Sequence, residues 1–317
     1  MGGDLSPDAF AFVMATGIVA YDAGHATVSL VGWVLLLIAI VGYVGLFVLT
    51  VTRVVRFPGR VVSELCSQHR GAGYLALVAA TGVVGAELAP INLQVATAFW
   101  LLGSMLWLTL TYSYFANDAT RERKPQAKRA LSGSLLLAVV ATQSVALLGT
   151  LVASVFGDGE GLVLFISLSM CFSGCVLYLA LIPLIVYRLE FLSLAPLDFT
   201  PDYWINMGAM AITTLTGSTL IAALERSLFL QQLVPFLLGL GLFFWAGATW
   251  WIPLLILLQV WRHLLKHVRL VYGIEYWSMV FPVGMYAACT FAIAASVHQG
   301  ALVVLAQSVA YVALARG

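Results

Sequence analysis

Long apolar runs follow one another along this chain from residue 7 to residue 315, and none has an Asp, Glu, Lys or Arg at its middle. A helix needs roughly 20 mostly apolar residues to cross the hydrocarbon core of a bilayer. Ten stretches meet that need: 7–23, 28–52, 71–87, 92–116, 131–154, 160–188, 201–224, 232–262, 275–297 and 299–315. The 232–262 run contains Pro235 and Pro253 and reads as one kinked helix. Charged residues are 9% of the 317, against roughly a quarter in a soluble domain, which is too little polar surface to cover a globule. The expected class is an all-α membrane protein, with residues 1–317 forming a single transmembrane domain.

Loop charge orients these spans. The loops after the even-numbered spans hold Arg53, Arg56, Arg60 and Arg70, then Arg121, Arg123, Lys124, Lys128 and Arg129, then Arg188, Arg262, Lys266 and Arg269. With Arg316 they account for all but one of the 15 basic residues, the exception being Arg226. The positive-inside rule places these loops and both termini in the cytoplasm of a cell (inner or plasma) membrane. Asp22, Glu87, Asp158, Glu160 and Glu225 fall at the opposite face, giving a mildly negative rim. Asp4 and Asp8 stand where the basic region of a signal peptide would be, so the first span is expected to be permanent.

Other functional classes receive little support. A net charge of +1 does not point to nucleic acid. Cys171 and Cys175 share a helix face without the further ligands a metal requires. His263 and His267 are also spaced i, i+4, but Arg262, Lys266 and Arg269 beside them disfavour a cation. No metal, cofactor or enzymatic chemistry is expected.

The odd-numbered spans repeat. The first opens Ser6-Pro7-Asp8 and the seventh Thr200-Pro201-Asp202, both with an N-cap hydroxyl, a proline and an acid. The ninth opens Glu275-Tyr276-Trp277, matching Asp202-Tyr203-Trp204. Aligned in this way, Thr16, Thr81, Thr142, Met210 and Val283 are equivalent, at spacings of 65, 61, 68 and 73 residues. That is one helical hairpin per repeat, with all five running parallel. The odd spans are rich in Gly, Ala, Ser and Thr at their middles and the even spans in bulkier residues. Small residues permit close packing in any bundle. Their recurrence in strict alternation favours inner odd helices around a central pore and outer even helices facing lipid.

Such a pore would be lined by Thr16, Gly17, Thr81, Gly82, Thr142, Gln143, Asn206, Gly208 and Gly284. Their hydroxyls and amides offer donors to a partly dehydrated anion, although a hydroxyl also bonds readily to its own helix four residues back. The ninth span departs from its siblings. Where others carry Met14 or Gly208, it carries Phe281, followed by Pro282. A phenyl ring before a proline kink can close a narrow apolar passage by bulk and dewetting, and Phe281 and Pro282 are the expected gate.

The segments Phe12-Val13-Met14-Ala15-Thr16-Gly17-Ile18-Val19, Tyr203-Trp204-Ile205-Asn206-Met207-Gly208-Ala209, Trp245-Ala246-Gly247-Ala248-Thr249-Trp250-Trp251-Ile252-Pro253 and Trp277-Ser278-Met279-Val280-Phe281-Pro282-Val283-Gly284 carry a family likeness across all ten spans. The sequence resembles the tellurite-resistance/dicarboxylate transporter family, which includes plant guard-cell slow anion channels, a bacterial tellurite-resistance channel, yeast malate permeases and sulfite pumps. The resemblance implies a homotrimer of ten-helix protomers. In each, five inner helices surround a pore plugged by a phenylalanine of the ninth helix, which corresponds to Phe281.

Two modes of transport remain open at this point. A gated channel for small inorganic anions is favoured by the lack of a titratable residue at mid-membrane. The alternative is a proton-coupled carrier for C4-dicarboxylates, sulfite or tellurite. It would have to titrate at the rims, at groups such as His25, Glu87 and Glu225.

Overall fold

The computed structural model describes residues 6–25, 29–122, 131–224, 231–269, 273–297 and 299–316, and most of these are helical, with no strand among them. Arg123, Lys124, Lys128, Arg129, Glu225 and Arg226 lie outside the described residues, as does Asp4. The main helices are α1 (Phe10–His25), α2 (Ser29–Arg56), α3 (Pro58–Leu65), α4 (Gln68–Gly73), α5 (Leu75–Leu88) and α6 (Leu93–Thr120). They continue as α7 (Leu137–Val152), α8 (Glu160–Phe191), α9 (Ile205–Leu224), α10 (Val234–Val260), α11 (Trp277–Val297) and α12 (Gly300–Arg316). Tight 3-10 turns at Pro7–Ala9, Gly133–Leu136, Pro201–Trp204 and Ile274–Tyr276 lead into α1, α7, α9 and α11. Pro7 and Pro201 fit these starts because their missing N–H has no helical partner to lose.

Seven continuous helical stretches among the described residues are long and apolar enough to cross a membrane. This differs from the ten expected spans for two reasons. Gly133–Phe191 is one stretch that contains both α7 and α8, joined at Gly157, where the backbone leaves helical geometry (φ 53°, ψ −116°). In addition, α1 and α12 have only 16 and 17 residues. The chain is a multi-pass all-α membrane protein.

The helices sort into two layers. α1, α5, α7, α9 and α11 form a closed ring, each packing on the next, with α11 returning to α1. α2, α6, α8, α10 and α12 each pack against the ring helix that precedes them. The ring helices are covered on all sides. In α5 every residue from Leu75 to Gly85 is buried, and in α7 every residue but Leu151. The second layer exposes large apolar side chains, among them Leu30, Trp33, Leu37, Phe165, Val176, Phe243, Trp250 and Leu257. Such a band has no place in water, but it suits lipid, where each helix satisfies its own backbone.

Four glycines expected to line a pore occupy the seams of the ring instead. A Cβ at Gly17 would lie 2.7 Å from Val83 Cγ1 across α1–α5, and one at Gly82 2.6 Å from Ser144 Cβ across α5–α7. At Gly208 it would lie 2.9 Å from Pro282 Cγ across α9–α11, and at Gly284 2.8 Å from Ile18 Cγ2 across α11–α1. The physical reason is that five apolar helices gain no hydrophobic driving force from lipid. They associate through close van der Waals contact, which requires the absence of a side chain at the points of nearest approach.

At the end of the ring where these helices begin, an ionic cluster ties the layers together. Glu64 of α3 accepts from Arg53 of α2 at 2.5 Å, from Arg70 of α4 at 2.9 Å and from the Tyr74 hydroxyl at 3.0 Å. Burial alone would push the Glu64 carboxyl up, but these three donors outweigh it and hold it below its ordinary range. A carboxyl held down in the folded state contributes stability above its unfolded pKa and loses it as pH falls through the folded value. Glu64→Gln is therefore expected to cost about 2 kcal/mol at neutral pH, seen as a lower thermal midpoint in detergent. The gap to wild type should begin to narrow as pH falls past the ordinary glutamate value of about 4.3 and close only below the lowered folded value, where both chains carry a neutral group. A gap that does not change with pH would contradict this assignment.

Candidate functional site

Two cavities lie inside the ring, and each is lined by all five of its helices. The first, of about 20 Å³, is bounded by Asp8, Ala11 and Met14 of the α1 segment, Ala76 of α5, Ser134 and Leu137 of the α7 segment, Asp202 and Ile205 of the α9 segment, and Ser278 and Phe281 of α11. The second, of about 100 Å³, is bounded by Ile18 and Tyr21, by Val83, Ala86 and Glu87, by Leu147 and Leu151, by Leu215 and Thr219, and by Met285. The first takes residues from the start of every ring helix and the second takes residues further along each. The five helices therefore run the same way around one axis.

The sequence repeat reappears in this lining. Five residues before the aligned positions Thr16, Thr81, Thr142, Met210 and Val283 stand Ala11, Ala76, Leu137, Ile205 and Ser278, one from each ring helix, all on the first cavity. Eight before stand Asp8, Ser134 and Asp202, and two before stand Met14 and Phe281, on the same cavity. Two after stand Ile18, Val83 and Met285, and five after stand Tyr21, Ala86, Leu147 and Leu215, all on the second cavity. Positions two residues away in either direction lie about 200° around an α-helix. The aligned threonine positions consequently point away from the axis.

Hydrogen bonding agrees with that placement. The Thr81 hydroxyl donates to Leu77 O at 2.7 Å and meets Tyr43 Oη of α2 at 2.8 Å. Thr142 donates to Ala138 O at 2.7 Å and accepts from Trp107 Nε1 of α6 at 2.8 Å. Gln143 donates from Nε2 to Cys171 O of α8 at 3.0 Å. Thr16 donates to Phe12 O at 2.8 Å. Thr81, Thr142 and Gln143, expected to line a path, are instead spent on binding the ring to the outer layer. A buried hydroxyl or amide needs a partner, and lipid supplies none. Asn206 is fully buried, its carbonyl accepts from Tyr178 Oη at 3.4 Å, and its side-chain amide has no hydrogen bond in the described structure. Neither cavity wall includes Asn206. The Cys171 and Cys175 thiols are free and buried, and among the described residues no group of three His, Cys, Asp or Glu side chains could hold a metal.

The axis is apolar over most of its length. Ala11, Ala76, Leu137, Ile205, Met14 and Phe281 lead into Ile18, Val83, Leu147, Leu215 and Met285. Phe281 is 2% exposed and Met14 likewise. Both line the first cavity, and Pro282, next to Phe281, rests on Gly208 of α9. A cavity of about 20 Å³ admits little more than one water. Phe281 lines this narrower cavity. Residues not anticipated from the sequence, such as Ile18, Val83 and Leu215, carry their signal in the repeat, two and five positions past the aligned threonines. That signal lay in the register of the repeat and not in polarity.

A family model described as voltage-dependent anion channel, SLAC1, matches residues 4–315. An uncharacterized membrane protein of Mycobacterium tuberculosis is 36% identical over 141 residues, 44% of this chain and 70% of the relative. Two uncharacterized transporters of Methanocaldococcus jannaschii match over most of their length. One is 23% identical over 293 residues, 89% of this chain and 82% of the relative; the other is 25% identical over 299 residues, 89% and 81%. A match over residues 4–315 shows that the chain belongs to the SLAC1 family of voltage-dependent anion channels, the group its sequence resembles.

Proposed function

We propose that the ring encloses an anion-conducting passage. On this reading the protomer is a single domain of five parallel hairpins, ten crossings in all, with the odd spans inside and both termini cytoplasmic. The observation that carries the reading is that all five ring helices present the same register of residues to one axis, which holds two cavities, the narrower of them lined by Phe281. The sign of the cargo has a physical basis. Five parallel helices direct their positive N-terminal ends at the first cavity, which favours anions there, while Asp8 and Asp202 offset part of that field. Phe281, braced by Pro282 on Gly208, is the gate. The homotrimer rests on the family resemblance.

The apolar axis favours a gated channel over a proton-coupled carrier of C4-dicarboxylates, sulfite or tellurite, because it holds no cation to bind a dicarboxylate along its middle. In proteoliposomes an inward proton gradient is expected to drive no accumulation of chloride, nitrate or malate above equilibrium. Uphill accumulation that collapses with a protonophore would establish the carrier.

A further inference from the structure

Six residues after the aligned position, α1 carries Asp22, α5 carries Glu87 and α11 carries Cys289. These helices are neighbours in the ring, with α1 between the other two. One level of the ring thus brings two carboxyls and a thiol onto adjacent helices.

Asp22 is fully buried, and among the described residues neither of its carboxylate oxygens has a hydrogen-bond partner. Its Oδ2 lies in the α1–α11 seam, 3.1 Å from where a Cβ on Gly284 would stand. Glu87 is partly exposed and lines the second axial cavity. It also lines a lateral cavity of about 190 Å³ with Ala20, Gly32 and Trp33, more open to the outside. The two carboxyls lie close enough to feel each other's charge, and Tyr21 and Cys289 lie within the same field. Among the described residues no Lys or Arg stands at this end of the ring, and nothing is described of the His25 side chain. α2 and α12 bring no acidic or basic side chain to this level.

An unpartnered buried carboxylate costs several kcal/mol, and without a cation the way to avoid that cost is to hold a proton. Glu87 opens on both cavities and gives protons a route from the bulk. We propose that Asp22 and Glu87 form a proton-binding site beside the second axial cavity, and that its occupancy sets the rate of anion passage. With protons bound the site is neutral and the apolar axis carries anions past it. With protons lost, negative charge stands next to a narrow cavity of low dielectric and repels them. The proton acts on the rate and is not carried with the anion. The proposal rests on the axis being an anion path.

The test uses chloride efflux from proteoliposomes at equal pH on both sides, in the Phe281→Ala background so that the gate does not limit flux. Between about pH 5 and about pH 8, efflux through Phe281→Ala is expected to fall about tenfold, whereas Asp22→Asn/Glu87→Gln in the same background gives a flux that does not vary with pH. The same fall in both chains would overturn the site. Infrared spectra of the otherwise wild-type chain supply a second readout that needs no flux. The C=O stretch of a protonated carboxyl is expected at neutral pH and is expected to be lost in Asp22→Asn/Glu87→Gln. A band that persists in that variant, or is missing from wild type, overturns the site. If Phe281→Ala conducts at no pH, the passage reading fails, and the infrared band alone decides whether the site holds protons.

Discussion

Phe281→Ala is expected to raise chloride or nitrate flux into proteoliposomes by at least about tenfold, which corresponds to ~1.4 kcal/mol removed from the barrier. Phe281 lines the narrower axial cavity, and on the proposed reading its phenyl group closes the axis between that cavity and the second. Removing it joins a cavity of about 20 Å³ to one of about 100 Å³ and gives water a continuous column along which an anion keeps part of its hydration. Stability distinguishes a gate from an ordinary core ring. Phe→Ala in a fully packed core costs about 3–5 kcal/mol. Phe281 fronts a cavity on one side, so its loss is expected to fall below about 3 kcal/mol. A correctly inserted variant as silent as wild type would remove Phe281 from the gate.

The largest loss of stability is expected at Gly133, beside Ser134 of the first cavity wall. This glycine opens the turn before α7 and lies against the turn before α9. A Cβ there would overlap the carbonyl of Asp202 and stand 2.8 Å from Tyr203 Cα. Those atoms are backbone and cannot rotate aside, so two ring helices would have to part. Gly133→Ala is expected to cost more than about 3 kcal/mol, read as a large fall in thermal midpoint in detergent. Gly161→Ala, where a Cβ meets nothing within 4 Å, is the control expected to hold its midpoint. A Gly133→Ala midpoint equal to that of the control would show that the ring is not tight at this contact.

Much of this architecture was legible because lipid imposes strict rules on a chain. Apolar length marks helices, and the repeat from Thr16 to Val283 marks which residues are equivalent. The face that each inner helix turns to the axis was not legible. A ring helix touches two neighbours and an outer helix, so it is apolar all round and carries no amphipathic stripe. Polarity was therefore a misleading guide to the axis. Thr81 and Thr142 are polar because they fasten α5 and α7 to Tyr43 and Trp107. Gly17, Gly82, Gly208 and Gly284 are small because the seams are tight. Asp22, expected at a mildly negative rim, is buried because α1 continues to His25 and neighbouring helices enclose its last turn. Phe281 stood out for a different reason, since it breaks the pattern of its own register.

The central claim is that anions travel along the axis of the ring, and a second plug tests it most directly. Leu215 lines the axial cavity of about 100 Å³, while Met207, on the same helix, lines an off-axis cavity of about 150 Å³ with Trp204, Ile252 and Val309. Each cavity has room for an indole. In the Phe281→Ala background, Leu215→Trp is expected to return chloride flux to the wild-type level, and Met207→Trp is expected to leave it high. Flux that persists past the tryptophan at 215, or that stops only with the tryptophan at 207, would mean that the anions take another route.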